Sequence, residues 1–366
     1  MTVADLPKPR AISLEWITPS LANDLLDCPY RVAWQLDPTY RALHRPNTYS
    51  ELGVIAHGVI EDAAHGMFVG EAGAIRSVIE QRWDERAKRA EEDLSRAWEP
   101  ATIPSREEWP GYHLTKVRIT RQAASRSVRL ERPSPAVTAS AVESPLTDDD
   151  AMLRGRPDRV EGPHDARRIV DVKSGLHQTS PSPPQLRQLM LYGHLVETTT
   201  DDHVAEIVIE DASGKRWTQG FDREATTSLV AQVRQELESF NAATRDGSIA
   251  THATPSADGC RWCSFRVVCS SYWSELDTTW GHGSVLGVVR RAQLAAAGSV
   301  LELEVSHPSD AAGSPWVISG APTELATPGR EVAIADGELT GIEHHLRWRW
   351  STLVWPQLEG ASQHKT

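Results

Sequence analysis

The sequence predicts an α/β (α+β) protein in which helices flank a mixed sheet, followed by a small β-rich domain. In residues 21–275, long stretches with apolar side chains at helical spacing surround a few short runs with strand-like alternation. From about residue 281, short aliphatic runs alternate with Gly, Pro, Ser and Asp, which is typical of a small barrel or sandwich. We therefore expect an irregular lead-in over residues 1–20, a larger domain over 21–275 and a second domain over 281–366.

The overall charge limits the ways in which this chain can meet nucleic acid. The 366 residues carry a formal net charge of -12, with 40% hydrophobic and 24% charged residues. So acidic a protein needs a local basic surface for any contact with phosphates. Residues 112–132 supply six Lys and Arg residues against the single acid Glu131. Such a run is either a solvated helix face or a phosphate-contacting surface.

The sequence predicts a cytoplasmic protein. Its first residues lack the apolar core of a signal peptide. No apolar run approaches the roughly 18 residues that a membrane helix needs. We therefore expect no membrane partner.

Two carboxylates and a lysine are the first candidate site. Asp158 precedes a predicted turn at residues 161–165, and Asp171 and Lys173 follow it on a predicted strand. Side chains two apart on a strand point the same way, so Asp171 and Lys173 share a face, and a paired hairpin places Asp158 beside them. This face is either an ordinary solvated ion pair or a site for a hard divalent cation, which prefers oxygen ligands.

Two predicted helices carry polar pairs at a spacing of four residues. His57 and Glu61 lie on a helix predicted over residues 52–68, and Gln188 and Tyr192 lie on one predicted over 185–197. Residues four apart share one helix face. A single helical histidine is more often an ordinary surface or core residue than a ligand.

The four cysteines form the last candidate site. Cys260, Cys263 and Cys269 fall within ten residues as C-x2-C-x5-C, and Cys28 lies more than two hundred residues earlier. In a reducing compartment, clustered cysteines bind metal or do redox chemistry more often than they form disulfides. Their spacing alone allows either a zinc site or an iron–sulfur cluster.

Taken in order, these motifs resemble the RecB-like branch of the PD-(D/E)XK nuclease superfamily over roughly residues 20–275. The resemblance implies a restriction-endonuclease-like core. It also implies that Asp158 and Asp171 are carboxylate ligands of Mg²⁺ or Mn²⁺, that the carbonyl oxygen of Val172 is a further ligand, and that His57 is the helical ligand. By the same resemblance, Lys173 orients or activates the attacking water or stabilises charge on the phosphate.

The resemblance extends to supporting residues and to the cysteines. Gln188 and Tyr192 match a Q-x-x-x-Y motif that supports the site and contacts DNA, and Glu61 matches an acid often found one turn after the histidine. The cysteine pattern is similar to that of iron–sulfur RecB-like nucleases, including CRISPR-associated adaptation nucleases and AddB-type subunits. That likeness implies a [4Fe-4S] cluster. The residues it assigns to the cluster are Cys28, Cys260, Cys263 and Cys269.

The function implied is that of a metal-dependent deoxyribonuclease, an exonuclease acting on single-stranded ends or flaps in repair, recombination or defence, alone or beside a helicase. The alternative is a non-cleaving DNA-binding or assembly subunit built on the same fold. The predicted domain over 281–366 lies outside the resemblance. Its tryptophans are either core residues or, in an OB-like barrel, a stacking platform for single strands. They are Trp316, Trp348, Trp350 and Trp355.

Overall fold

The computed structural model describes residues 3–68, 72–98, 103–130, 145–173, 180–211, 215–280 and 283–356. A strand that the sequence predicts over residues 136–144 lies outside these ranges. None of the helices in the described ranges is long and apolar enough to cross a membrane.

The α-helices of the described residues belong mainly to the first three quarters of the chain. They are α1 (Pro19–Asp27), α2 (Pro29–Leu36), α3 (Thr48–Ala64), α4 (Ala72–Ala97), α5 (Tyr112–Leu130), α6 (Pro183–Thr200), α7 (Arg223–Asp246), α8 (Ala257–Arg261) and α9 (Ser270–Glu275).

The strands of the same described residues form three sheets. The first six are β1 (Leu146–Asp148), β2 (Leu153–Gly155), β3 (Arg159–Glu161), β4 (Arg167–Lys173), β5 (Val204–Asp211) and β6 (Arg216–Gly220). The C-terminal strands are β7 (Val285–Ala295), β8 (Gly298–His307), β9 (Pro315–Ala321), β10 (Glu331–Ala335), β11 (Glu338–Leu339), β12 (His345–Arg347) and β13 (Leu353–Trp355).

The mixed sheet has the order β3-β4-β5-β6. β3 and β4 form the predicted antiparallel hairpin, with Val160 opposite Ile169. β4 and β5 are parallel because α6 crosses between them, and β6 returns antiparallel to β5. The mixed α/β fold class is therefore confirmed, and β4, which carries the acid and the lysine, is an inner strand.

Local capping differs from the sequence prediction at two helix starts. The run Thr18-Pro19-Ser20 predicts an N-cap at Ser20 for the first helix, but Ser20 lies inside α1, because Thr18 accepts the hydrogen bond from the Leu21 N–H. The prolines expected to form a rigid connector, Pro183 and Pro184, open α6 instead. Proline suits the first helical turn because the N–H that it lacks has no intrahelical partner there. The break at Pro29 is confirmed, since α1 ends at Asp27 and α2 begins at Pro29.

The helices and the mixed sheet share one large apolar core, and the C-terminal sheet has a second. The C-terminal sheet has seven strands in the order β11-β12-β9-β8-β7-β10-β13, so the small β-rich part is confirmed, and β9 and β11 are additional to the strands expected from sequence. Trp316 is buried in the second core. Trp350 packs edge-on against Trp98 of the first core, with ring centroids 5.3 Å apart. The domain limits at residues 20, 275 and 281 and the OB-like description stay predictions.

Candidate active site and cysteine cavity

The end of β4 presents the acid and the lysine together, as their alternation predicts. Lys173 Nζ lies 2.8 Å from Asp171 Oδ2 and 3.1 Å from Oδ1, and its geometry satisfies a hydrogen bond at Oδ1 only. Asp171 is 5% exposed, whereas the lysine side chain is 30% exposed. The carboxylate therefore lies inside the protein with its counter-charge at the surface.

Asp158 lies at a bend immediately before β3 rather than on the strand where the sequence places it. Its Oδ2 atom accepts a hydrogen bond of 2.8 Å from the Val172 N–H, which orients the carboxylate toward β4. The same Oδ2 atom lies 3.7 Å from Nδ1 of His57, on α3. The helix, the bend and β4 thus bring His57, Asp158 and Asp171 to one place.

Electrostatics at this place favour a bound cation. Burial raises the pKa of Asp171 above its usual range, and the nearby negative charge of Asp158 adds to the effect, while the ammonium of Lys173 opposes it. Asp171 Oδ2 is buried and accepts no hydrogen bond from the described residues. A buried carboxylate oxygen without a donor is costly, and the Lys173 ammonium, 2.8 Å from this oxygen, offsets the charge of only one of the two carboxylates. The residues present therefore fit a divalent metal with oxygen ligands.

The supporting residues lie around this centre, each with a definite partner. Glu61 Oε1 is 3.4 Å from Nη2 of Arg156, so this acid holds the arginine next to Asp158 in sequence. Gln188 Nε2 donates to Ser20 Oγ at 3.2 Å, which joins α6 to α1. Burial raises the pKa of Tyr192, and the charges of the two site carboxylates add to it, so the hydroxyl remains a hydrogen-bond donor.

Gly155 explains how Tyr192 comes so close to the hairpin. A Cβ at position 155 would lie 2.9 Å from Tyr192 Cε1, 2.9 Å from Pro19 Cδ and 3.1 Å from Leu195 Cδ1. These separations are below van der Waals contact, so only glycine fits where β2, α1 and α6 meet. The glycine of the G-R-P-D run is therefore a packing requirement beside the site.

Two further polar networks support the site, and the sequence motifs do not reveal them. Asp62, directly after Glu61, accepts hydrogen bonds of 2.9 Å from both Arg82 and Arg86 on α4, which fixes α3. Behind β4, Glu210 accepts from Arg159 at 2.8 Å and from Arg216 at 2.9 Å. Partners 20 to 51 residues apart follow no local spacing rule. Only the folded arrangement shows them.

The four cysteines line one cavity of about 370 Å³ between α2 and the segment around α8 and α9. Cys28 lies at the junction of α1 and α2, and Cys269 precedes α9. Within the described ranges no three His, Cys, Asp or Glu side chains form a ready-made metal cage, at the cysteine cavity or at the carboxylate centre. At either place the side chains would have to draw closer to hold a metal ion.

Burial favours the neutral form of Cys260, Cys263 and Cys269. Burial raises the pKa of Cys263 to about 11 and also raises the pKa values of Cys260 and Cys269, whose neighbouring sulfurs add to the shift. Two arginines, Arg31 and Arg266, oppose it through their positive charges. Thiolates are the metal-binding form, so a metal bound here would displace protons. Four converging thiols with two nearby cations suit a thiolate-ligated centre of either kind allowed by their spacing.

Comparison with known proteins identifies the family of this chain. The family model of the PD-(D/E)XK nuclease superfamily matches residues 17–270. A search of curated proteins found no match. Among solved structures, the chain is similar to a candidate exonuclease from Eubacterium rectale, with 11% identity, a TM-score of 0.36, and coverage of 64% of this chain and 82% of that one. The match to the family model spans the helices, the mixed sheet and the cysteine segment, and the chain belongs to the PD-(D/E)XK nuclease superfamily.

Proposed function

We propose that this chain is a metal-dependent deoxyribonuclease of the RecB-like branch, an exonuclease that cleaves single-stranded ends or flaps. The observation that carries the proposal is the meeting of His57, Asp158, Asp171 and Lys173. Three separate elements, α3, the bend before β3, and β4, supply them. A surface ion pair would need only the two residues of β4. The convergence of a histidine and a second carboxylate on the same place supports a metal-binding role.

The proposed metal is Mg²⁺ or Mn²⁺, and its ligands are His57, Asp158, Asp171 and the carbonyl oxygen of Val172. When bound, such a cation polarises the scissile phosphate and lowers the pKa of the attacking water. The Val172 N–H holds the Asp158 carboxylate in place. Lys173, partly exposed and anchored on Asp171, supplies a positive charge to the phosphate or the attacking water.

We assign supporting roles to three more residues. Glu61 positions Arg156, which is half-exposed, two residues before Asp158 in the sequence, and suited to a phosphate. Gln188 and Tyr192 present an amide and a protonated hydroxyl from α6, and both fit a role in holding DNA near the carboxylates.

We further propose that Cys28, Cys260, Cys263 and Cys269 hold a [4Fe-4S] cluster in their cavity, with zinc as the competing occupant. The support is that residues 28 and 260–269, remote in sequence, line one space beside Arg31 and Arg266. This position fits a structural role for the cluster. It would tie the first helices of the nuclease region, α1 and α2, to the last ones, α8 and α9.

The wider setting follows from the same resemblance. We propose a cytoplasmic enzyme of repair, recombination or defence against foreign DNA, with DNA as substrate and a helicase as a potential protein partner. The nuclease domain would span residues 21–275 after a lead-in at 1–20, and the β-rich domain would span 281–366.

The test is cleavage of DNA labelled at either end, single- and double-stranded, with Mg²⁺, Mn²⁺ or EDTA. We expect release of short products from single-stranded ends with either metal and none with EDTA. Asp171→Ala and Lys173→Ala are expected to abolish cleavage, because they remove the buried carboxylate and its partner cation.

The matched control is Asp165→Ala, an exposed carboxylate in the turn of the same hairpin. It should cleave like the wild type. Unchanged cleavage by Asp171→Ala and Lys173→Ala would show that the activity resides elsewhere. A protein that binds DNA and never cuts it, with any metal or partner, would instead be the non-cleaving subunit.

A further inference from the structure

The solvent-facing side of α5 is a basic surface on an acidic protein. The 19 residues of α5 include no Asp or Glu, although the whole chain carries 50 acids against 38 bases. Exposed bases on a helix are normally balanced by acids three or four residues away. On α5 the basic side chains repel one another, and no acid of the helix offsets their charge. Their charge therefore stabilises neither the helix nor the fold.

The side chains of this helix separate into an inner and an outer face. Ile119 and Ala123 are fully buried against the core. Leu114 and Val117 are 44% and 57% exposed on the outer face, and Arg121, four residues after Val117, is also exposed there. The outer face thus combines apolar contact area with positive charge.

Two arginines of this surface lack partners in the described part of the chain. Lys116, on the flank, is held by Asp84 at 2.6 Å. The guanidinium groups of Arg118 and Arg121 make no ion pair or hydrogen bond with any described side chain. Both are therefore available to an anionic ligand.

The position of α5 links this surface to the candidate active site. Gln122, one turn after Arg118 on the same side of the helix, donates a hydrogen bond to Glu210 of β5. Glu210 is paired in the sheet with Val172, whose side chain lies on the opposite face of β4 from Asp171 and Lys173. Arg118 therefore lies about one helical turn, roughly 6 Å, from a residue anchored to the active-site strands.

We propose that Arg118 and Arg121 contact two backbone phosphates of single-stranded DNA and guide the strand toward Lys173. Leu114 and Val117 would contact the unpaired bases or sugars of the same strand. The inference rests on the proposed nuclease function for its substrate. Its own support is the charge complementarity of an acid-free helix with phosphate, on a helix anchored to the opposite face of the sheet that carries the candidate active site.

The test measures binding apart from cleavage. Fluorescence anisotropy of a labelled single-stranded oligonucleotide, in EDTA and over a series of salt concentrations, gives Kd for the full-length protein. We expect Arg118→Ala/Arg121→Ala to raise Kd at least tenfold at about 0.1 M salt. The slope of log Kd against log salt should fall by about 1.4, because each phosphate contact on a single strand contributes about 0.7. A duplex of the same sequence should be affected less.

Two control variants keep the result interpretable. Arg89→Ala/Arg245→Ala removes the same charge from exposed positions on α4 and α7 and should leave Kd and slope unchanged. Arg118→Lys/Arg121→Lys retains the charges and should retain the slope, whether or not the alanine variant folds.

The outcomes separate this inference from the proposed function. An unchanged Kd and slope in the alanine variant, an equal loss in the Arg89/Arg245 control, or an equal effect on duplex would each overturn the inference. Loss of binding confined to the α5 variant supports it, even where the wild type fails to cleave with any metal. In that case the proposed nuclease activity fails and the binding surface stands.

Discussion

The carboxylate centre and the cysteine cavity are two candidate metal sites with opposite electrostatics. At the carboxylate centre, Asp158 and Asp171 come from one hairpin, and Lys173 already offsets part of their charge. At the cavity, burial favours the neutral form of Cys260, Cys263 and Cys269, and residues 28 and 260–269 meet only in the folded chain. The first site should form without metal, whereas the second depends on metal to close. We therefore expect substitutions at the carboxylate centre to change mainly DNA cleavage, and substitutions at the cysteine cavity to change mainly the stability of the fold.

The largest effect is expected from Cys263→Ser. Losing one thiolate ligand should release the cluster and with it a covalent link across more than two hundred residues, a constraint of about 5 kcal/mol in chain entropy. We expect loss of absorbance near 400 nm, loss of bound iron and a clearly lower melting temperature. Trp262→Phe, at the 79% exposed residue beside it, is the control and should keep both. A colourless wild type with stoichiometric zinc would replace the cluster by a zinc site.

Asp171→Asn should change activity and stability in opposite directions. Removing a metal-ligating charge is expected to lower the cleavage rate roughly 1,000-fold, because the cation supplies several kcal/mol to the reaction. The metal-free variant should melt no lower than the wild type, since it no longer buries a negative charge. Iron content should stay unchanged. A strong loss of stability with retained activity would show that Asp171 is an ordinary structural ion pair.

Gly155→Ala should damage the junction that holds Tyr192. The added methyl group would meet the tyrosine ring and Pro19 at 2.9 Å, and such overpacking costs about 1–3 kcal/mol. We expect a lower melting temperature together with reduced cleavage. Gly220→Ala, where a Cβ meets no atom within 4 Å, is the matched control. Equal effects of the two substitutions would refute the packing role of Gly155.

The smallest effect concerns the pH dependence of the metal-free protein. The raised pKa of Asp171 means that its protonated form is favoured in the folded state. Its contribution to stability is complete below the ordinary pKa of an aspartate and is lost as pH rises through the raised value. Chemical denaturation from acid to neutral pH should therefore show Asp171→Asn gaining stability relative to the wild type. A relative gain by the wild type over that range would contradict the direction.

Local periodicity makes part of the candidate site predictable from the sequence. The alternation of Asp171 and Lys173 and the helical spacing of His57 and Glu61 fix geometry within a few residues. Cys260, Cys263 and Cys269 cluster in the sequence, whereas Cys28 joins their cavity only through the fold. By contrast, neither the Arg159–Glu210 pair nor the Asp62 contacts with α4 have any local spacing signal. The exact capping depends on whether Thr18 or Ser20, two residues apart, reaches the helix N–H, and composition cannot decide that.

The proposed function depends most on α3, the bend before β3, and β4 forming one metal site. Electron paramagnetic resonance of Mn²⁺ titrated into the intact protein, with its cysteine site loaded, tests this directly. The account predicts bound Mn²⁺ in the wild type and in Asp165→Asn, and a strong loss of binding in Asp158→Asn and Asp171→Asn. Identical Mn²⁺ binding by all four proteins would contradict it, because the two carboxylates would then not be the ligands.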